Sequence, residues 1–164
     1  SYGIYSEYVP YYSINGKEVY DEILTSIFEA KEVDIVLCIG WMRILTSTFI
    51  KRWKKCCFNV HPSLLPAFAG GMDKNVHQEV LNSGNRETGC TVHEVTEEVD
   101  NGPIIVQKKC EVLDNDSVDS LKARVQELEG KALVETISLF ASDKIGPLSE
   151  VTIEKFGIDL GKVF

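Results

Sequence analysis

The sequence predicts one α/β domain with a mostly parallel sheet and flanking helices. Patterns typical of amphipathic helices alternate along the chain with apolar, β-branched segments, and this alternation indicates βαβ units. The chain has 164 residues, which is enough for one domain with a substantial core and too few for two of ordinary size. We therefore expect residues 1–164 to form a single domain that binds ligands beyond the carboxyl ends of its strands.

The first elements follow from the spacing of apolar residues. Residues 1–15 are polar and Tyr-rich, so an irregular or short extended segment is expected there. Residues 17–31 carry apolar side chains three and four positions apart, which predicts an amphipathic helix. Residues 33–40 (VDIVLCIG) form a β-branched, apolar run, which predicts a strand covered on both faces.

A short helix and a second strand come next. Thr46 and Ser47 predict the cap of a helix that ends near Trp53. Residues 56–60 predict the second strand. Residues 66–74 contain two adjacent glycines, and this segment is expected to be a mobile loop.

The second half begins with a short helix at residues 76–81, which Gly84 ends. Residues 89–95 and 103–112 are rich in β-formers and flank an Asp-Asn-Gly turn at residues 100–102. These features predict two strands joined by a turn.

A long helix is predicted from the capping pair Asp116-Ser117 to about Phe140. Residues 151–153 are expected to form an edge strand. The apolar stripe of the long helix should consist of Leu121, Val125, Leu128, Leu133 and Ile137.

Charge and hydropathy limit the classes of partner. The net charge of -8 argues against nucleic acid as a partner, because phosphate contacts need clustered Lys and Arg. The only dense basic run, residues 51–55, is typical of a solvated helix end. No apolar run approaches the ~20 residues of a membrane span, so no membrane association is expected.

The cysteines indicate a reducing compartment. They are odd in number and show no C-x-x-C spacing, which is typical of reduced thiols. We therefore expect a cytoplasmic protein, although a plastid or mitochondrial form that has lost its transit peptide is also compatible. The five are Cys38, Cys56, Cys57, Cys90 and Cys110.

The strongest candidate for chemistry is the pair Asn59 and His61. An extended backbone directs alternate side chains to one face, so both point at the same volume. A carboxamide N–H and an imidazole suit an oxygen that gains negative charge during acyl transfer. A polar strand end that satisfies nearby backbone groups explains the pair about as well. Asp100 could orient the imidazole, although Asp before Asn-Gly is also ordinary turn chemistry.

Other polar residues fit catalysis less well. Ser63 lacks the G-x-S-x-G context of a nucleophile. His77 and His93 show no metal-binding spacing, so we interpret both as structural and expect no metal. Glu97 and Glu98 are expected to face water.

Three blocks of sequence resemble the glycinamide ribonucleotide formyltransferase family. They are residues 42–45 (MRIL), 59–66 (NVHPSLLP) and 89–105 (GCTVHEVTEEVDNGPII). They occur in the family's order and near its spacing, and the resemblance covers residues 33–140. It implies a Rossmann-like formyltransferase fold with a mostly parallel, twisted sheet.

The resemblance also implies an activity. A formyl group would pass from 10-formyltetrahydrofolate to the primary amine of glycinamide ribonucleotide in de novo purine synthesis. The catalytic trio of the family falls on Asn59, His61 and Asp100. The protein would be a monomer or homodimer.

Binding residues carry over from the same resemblance. The folate would contact backbone groups of Arg43 and Leu45 and a closing loop at residues 96–100, although plain core positions are an equally good explanation of Ile44 and Ile50. The full folate set is Trp41, Arg43, Ile44, Leu45, Ile50, Cys57, Asn59, Thr96 and Asp100. The ribonucleotide set is Gly40, Met42, Val60, Pro62, Gln126 and Glu129.

Three features depart from the family pattern. Glu94 replaces an aromatic residue, which suggests a solvent-facing or edge position. The loop at residues 70–75 is longer than in common bacterial relatives. No Gly-Ser-rich phosphate loop precedes Lys17, so we expect the sequence to start after the family's first βα unit.

Other functions remain as alternatives. A truncated, catalytically silent domain that still binds folate or a partner would carry the same motifs. A methionyl-tRNA formyltransferase should have a further RNA-binding domain. A formyltetrahydrofolate hydrolase usually has a second His where this chain has Pro62.

Overall fold

The computed structural model describes residues 4–11, 16–71 and 73–146. Four helices and four strands occur in this part of the chain, and the predicted α/β class is confirmed. The expected edge strand at residues 151–153 lies outside the described residues, as do residues 1–3 and 12–15 of the irregular first segment. The elements are α1 (Lys17–Ala30), β1 (Val36–Cys38), α2 (Ser47–Arg52), β2 (Cys57–His61), α3 (Asp73–Ser83), β3 (Glu87–Glu94), β4 (Ile104–Glu111) and α4 (Val118–Ala141).

The sheet has the order β1-β2-β3-β4. The β1–β2 pair is parallel, whereas β2–β3 and β3–β4 are antiparallel. The described sheet is therefore mixed, and the prediction of a mostly parallel sheet is wrong for this part of the chain. The loop at residues 95–103 accounts for the β3–β4 pair, because a short connection reverses strand direction. The β2–β3 pair is antiparallel although α3 connects the two strands.

Strand β1 is shorter than predicted. It comprises only Val36–Cys38, and Val36 and Leu37 are half-buried. Ile39, which follows, is 62% exposed. Within the described residues β1 is an edge strand that pairs on one side. Its two faces are both covered, because Leu37 packs against one apolar cluster and Val36 and Cys38 against another.

Two apolar clusters flank the sheet. One contains Phe58 and Val92 and packs under α3 and α4, and the other contains Phe49, Trp53 and Cys57 and packs under α1 and α2. Helix α2 begins as predicted, because the Thr46 hydroxyl accepts a hydrogen bond from Phe49 N at 3.3 Å. Burial of these side chains is the main force that holds the helices on the sheet.

The core-facing stripe of α4 differs from the prediction at one position. Leu121, Val125 and Leu133 are buried, as expected. Ile137 is 43% exposed, because Thr136 occupies the core-facing position and its hydroxyl donates to the Ala132 carbonyl.

Asp116 secures the start of α4. Its carboxylate accepts hydrogen bonds from Leu113 N at 2.8 Å and from both Nη atoms of Arg124, at 2.7 and 2.9 Å. Ser120 Oγ donates to the same carboxylate at 2.8 Å. The Arg124 guanidinium is the first of these causes that hold the pKa of Asp116 well below its usual range.

We expect Asp116→Asn to lower the free energy of unfolding at pH 7 by roughly 1–2 kcal/mol, because charge-assisted hydrogen bonds are lost. The folded-state pKa of Asp116 is lowered, so its contribution is complete above the unfolded pKa of about 3.9. The contribution falls as pH decreases toward the folded value, and the two proteins should converge in stability. Urea unfolding at pH 7 and below pH 4 measures this difference.

Asp119→Asn is the matched control, because Asp119 is an exposed acidic residue in the first turn of the same helix. Its effect should stay within the few tenths of a kcal/mol that a helix-dipole contact contributes. If Asp116→Asn lowers the free energy of unfolding no more than Asp119→Asn does, the stabilising role assigned to Asp116 is contradicted.

Candidate active site

A cavity of about 640 Å³ lies at the carboxyl ends of the parallel strands β1 and β2. The loop after β3 and one face of α4 complete its walls. All of the sequence-predicted site residues except Cys57 line it, namely Gly40, Trp41, Met42, Arg43, Ile44, Leu45, Ile50, Asn59, Val60, His61, Pro62, Thr96, Asp100, Gln126 and Glu129.

His61 lies between two groups that can only accept hydrogen bonds. Its Nδ1 is 3.3 Å from Asp100 Oδ2, and its Nε2 is 3.0 Å from the Phe68 carbonyl oxygen. The side chains of His61 and Asp100 are only 4% and 8% exposed. Because a ring nitrogen must carry a proton to donate, each of these contacts is a hydrogen bond only when the His61 nitrogen that faces it is protonated.

Asp100 is held from several sides. Gly70 N donates to its Oδ2 at 2.8 Å. Its backbone has a φ of 55°, a left-handed conformation that Asp tolerates better than most residues. The turn packs closely on β3, since a Cβ atom on Gly102 would lie 1.8 Å from the Glu94 carbonyl oxygen. The Asp-Asn-Gly turn therefore brings the carboxylate against His61.

The loop after β2 contributes backbone groups to the same place. The Phe68 carbonyl contacts His61, and Gly70 N contacts Asp100. Ser63 is fully buried, and its hydroxyl donates to the Ala67 carbonyl at 2.6 Å. Residues 66–70 form turns, in agreement with the predicted loop, but the loop ends earlier than expected because α3 begins at Asp73. The mobility of this loop stays a prediction.

Asn59, the third residue of the predicted trio, contacts His93, which does not belong to that trio. Asn59 Nδ2 is 3.2 Å from Nε2 of His93. The two residues are direct partners across β2 and β3. His93 also lines the cavity, whereas His77 is fully buried in the core. The sequence offered one signal for His93, namely a histidine near the end of a predicted strand and a few residues before Asp100. Only the strand register shows that it lies beside Asn59.

The residues proposed for folate divide into exposed and covered positions. Ile44 is 68% exposed at the cavity, so it is not a core residue. The Arg43 guanidinium packs over the rings of Tyr11 and Tyr20, with its central carbon 4.2 and 5.1 Å from their centroids. This packing holds the Arg43 side chain on the aromatic rings.

Cys57 does not line the cavity, and its assignment as a cavity wall is wrong. Its side chain is 1% exposed and lies behind Cys38, with 3.8 Å between the two Sγ atoms. The contact with Cys38, followed by burial, raises the pKa of the Cys57 thiol. Cys38 lines the cavity in its place.

Glu94 is half-buried and has a structural partner. Its Oε1 accepts a hydrogen bond from Lys55 N at 2.9 Å, at a residue with a φ of 62°. The prediction of a solvent-facing Glu94 is therefore wrong, because the side chain stabilises the turn before β2. Glu97 and Glu98 are exposed, as expected.

Gln126 and Glu129 stand one turn apart on α4 and both line the cavity. Among residues 4–11, 16–71 and 73–146, no group of three or more His, Cys, Asp or Glu could hold a metal ion. No helix in the described part of the chain is long and apolar enough to cross a membrane.

The fold and the cavity define an α/β protein whose ligand site lies at the carboxyl ends of its parallel strands. A family model described as formyl transferase matches residues 2–137. The chain therefore belongs to the formyl transferase family, and the resemblance predicted from the three sequence blocks is confirmed.

Individual relatives agree with the family. The chain is 37% identical over 133 residues to phosphoribosylglycinamide formyltransferase of Escherichia coli. This match covers 81% of this chain and 61% of that protein. The chain is 38% identical over 143 residues to the trifunctional purine biosynthetic protein adenosine-3 of Gallus gallus, covering 87% of this chain and 14% of that protein. The chain thus spans less than two thirds of these curated relatives.

A solved structure is similar as well. Glycinamide ribonucleotide transformylase 1 from Symbiobacterium toebii superposes with a TM-score of 0.77 at 35% sequence identity. The match covers 82% of this chain and 62% of that one. The mixed sheet and its helices are therefore the arrangement found in this relative.

Proposed function

We propose that this chain carries the formyl-transfer site of a phosphoribosylglycinamide formyltransferase. The co-substrate would be 10-formyltetrahydrofolate, and the acceptor would be the primary amine of glycinamide ribonucleotide. The observation that carries the proposal is the buried His61–Asp100 pair, 3.3 Å apart, beside Asn59 in one cavity. The names of the relatives support the same reaction and its place in purine synthesis.

The reaction begins when the amine attacks the formyl carbon. A C–N bond forms, and the former carbonyl oxygen of the tetrahedral intermediate carries negative charge. Asn59 donates an N–H to this oxygen, and the positive charge of His61 stabilises it electrostatically. Such preorganised donors and charges are usually the largest contribution to acyl transfer.

The intermediate then collapses. The C–N bond to the folate nitrogen breaks, a proton is delivered to that nitrogen, and the attacking amine loses one. Asp100 holds the His61 ring and helps the proton pass through a water molecule. The products are the formylated ribonucleotide and tetrahydrofolate.

The cavity has walls suited to both substrates. A pterin is flat with polar edges, and apolar walls with backbone donors suit such a ring. Exposed Ile44 and the backbone of Arg43 and Leu45 supply these features. Gln126 and Glu129, which line the cavity from α4, would contact the ribose.

We place the reaction in a reducing compartment, with the cytoplasm as the first choice. All five cysteines are free thiols, as is usual for proteins of reducing compartments.

A spectrophotometric formyl-transfer assay with glycinamide ribonucleotide tests the proposal. It should be run on this chain and on a form extended upstream to the length of its relatives, which we call the intact protein, alongside a folate-binding measurement. We expect turnover by the intact protein. An intact protein that binds folate but transfers no formyl group would instead support the catalytically silent alternative.

A further inference from the structure

His93 lies at the centre of a short chain of hydrogen bonds in the wall of the cavity. Its side chain is 3% exposed. Nδ1 is 2.9 Å from the Glu94 carbonyl oxygen, and Nε2 is 3.2 Å from Asn59 Nδ2. Nε2 is also 3.4 Å from Asp100 Oδ1. Both ring nitrogens therefore face specific partners.

The partners determine which nitrogen of His93 carries the proton. A carbonyl oxygen only accepts, so Nδ1 must be protonated to donate to Glu94. Burial lowers the pKa of the His93 ring, although the Glu94 carbonyl and Asp100 oppose this effect. In the neutral ring Nε2 has a lone pair, so the Asn59 group that faces it must be the NH2 and not the oxygen.

We propose that His93 is a positioning residue: by accepting a hydrogen bond from Asn59 Nδ2, it directs the second amide N–H of Asn59 into the cavity. The inference rests on the proposed function, in which that N–H stabilises the oxyanion. A carboxamide turned by 180° would present an oxygen to a developing negative charge. The bond to His93 excludes that orientation before substrate arrives, as preorganisation requires.

Nitrogen-15 NMR of the imidazole rings tests the contact without any activity. With both ring nitrogens labelled, His93 of the wild type at neutral pH should show a protonated Nδ1 and an unprotonated Nε2. A protonated Nε2 would overturn the proposal, since that nitrogen could not accept from Asn59. This result does not depend on whether the intact protein transfers formyl groups.

Kinetics of the intact protein test the consequence. His93→Leu should lower kcat about tenfold, less than the loss of an oxyanion donor itself, and should change the KM for folate by less than about twofold. His93→Gln, which retains a side-chain acceptor, should recover most of kcat. His77→Leu is the control for removal of a buried histidine, and its kcat should be unchanged in the folded fraction.

A double-mutant cycle separates positioning from general damage. If His93 acts through Asn59, then His93→Leu should cause no further fall in kcat when added to Asn59→Ala. Additive losses, or a wild-type kcat in His93→Leu, would overturn the proposal. Absence of transfer by the wild-type intact protein would contradict the proposed function, and the NMR result alone would then decide the His93–Asn59 contact.

Discussion

Replacement of Asp100 by Asn is expected to lower kcat for formyl transfer by about 10³-fold, within the range typical of lost acid–base groups. Asn has the same size and also tolerates the φ of 55° at this position, so the turn should remain folded. The variant lacks the negative charge that faces His61 Nδ1 at 3.3 Å. It therefore loses the carboxylate that holds the imidazole ring in place.

Asp143→Asn is the matched control for this variant. Asp143 also has a φ of 55° and is exposed at the end of α4, away from the cavity. Asp143→Asn therefore measures any loss of stability that comes from placing Asn at a left-handed backbone position. Steady-state assays of both variants in the intact protein, with thermal unfolding, make the comparison. Near-normal turnover by a folded Asp100→Asn variant would refute the assignment of the trio.

The second large effect is expected from His61→Ala, which should also lower kcat by about 10³-fold, or about 4 kcal/mol in activation free energy. The imidazole is the only predicted group of the trio that can place a positive charge beside the oxyanion. Removal of the ring also breaks its contacts with Asp100 and with the Phe68 carbonyl. Binding of folate should persist, because the apolar walls and backbone groups remain.

Free imidazole provides the control for His61→Ala. The side chain borders the cavity, so its truncation leaves space that is open to a small molecule. Partial recovery of kcat with added imidazole would assign the loss to the missing ring. Unaltered turnover without imidazole, or loss of the circular dichroism spectrum of the fold, would contradict the prediction.

Local patterns in the sequence predicted most of the elements. Apolar spacing placed α1 within one residue of its observed end, and Ser117 is the N-cap of α4 as expected. Helix caps and periodicity depend on residues three or four positions apart, so they can be recognised in one segment at a time. The predicted lengths of β1 and α3 agreed less well with the structure, because tertiary contacts decide where an element ends.

The pairing of Asp100 with His61 was implied by the family resemblance and not by topology. In the antiparallel register β3 ends opposite Phe58, so the loop that carries Asp100 folds back to reach His61. Contacts that depend on strand pairing were not predictable either. The position of Cys57 behind Cys38 and the hydrogen bond from Lys55 N to Glu94 both join residues from separate elements. Neither contact has a signature in the spacing of residues along the chain.

The sequence alone determined the α/β class and the formyltransferase resemblance, and it predicted the trio of Asn59, His61 and Asp100. The tertiary structure alone decided that the described sheet is mixed and that His93 stands opposite Asn59. The physical reason is that the antiparallel register of β2 and β3 is set by core packing across the whole sheet. A shift of one residue in that register would turn His93 to the other face, and no local pattern in the sequence specifies it.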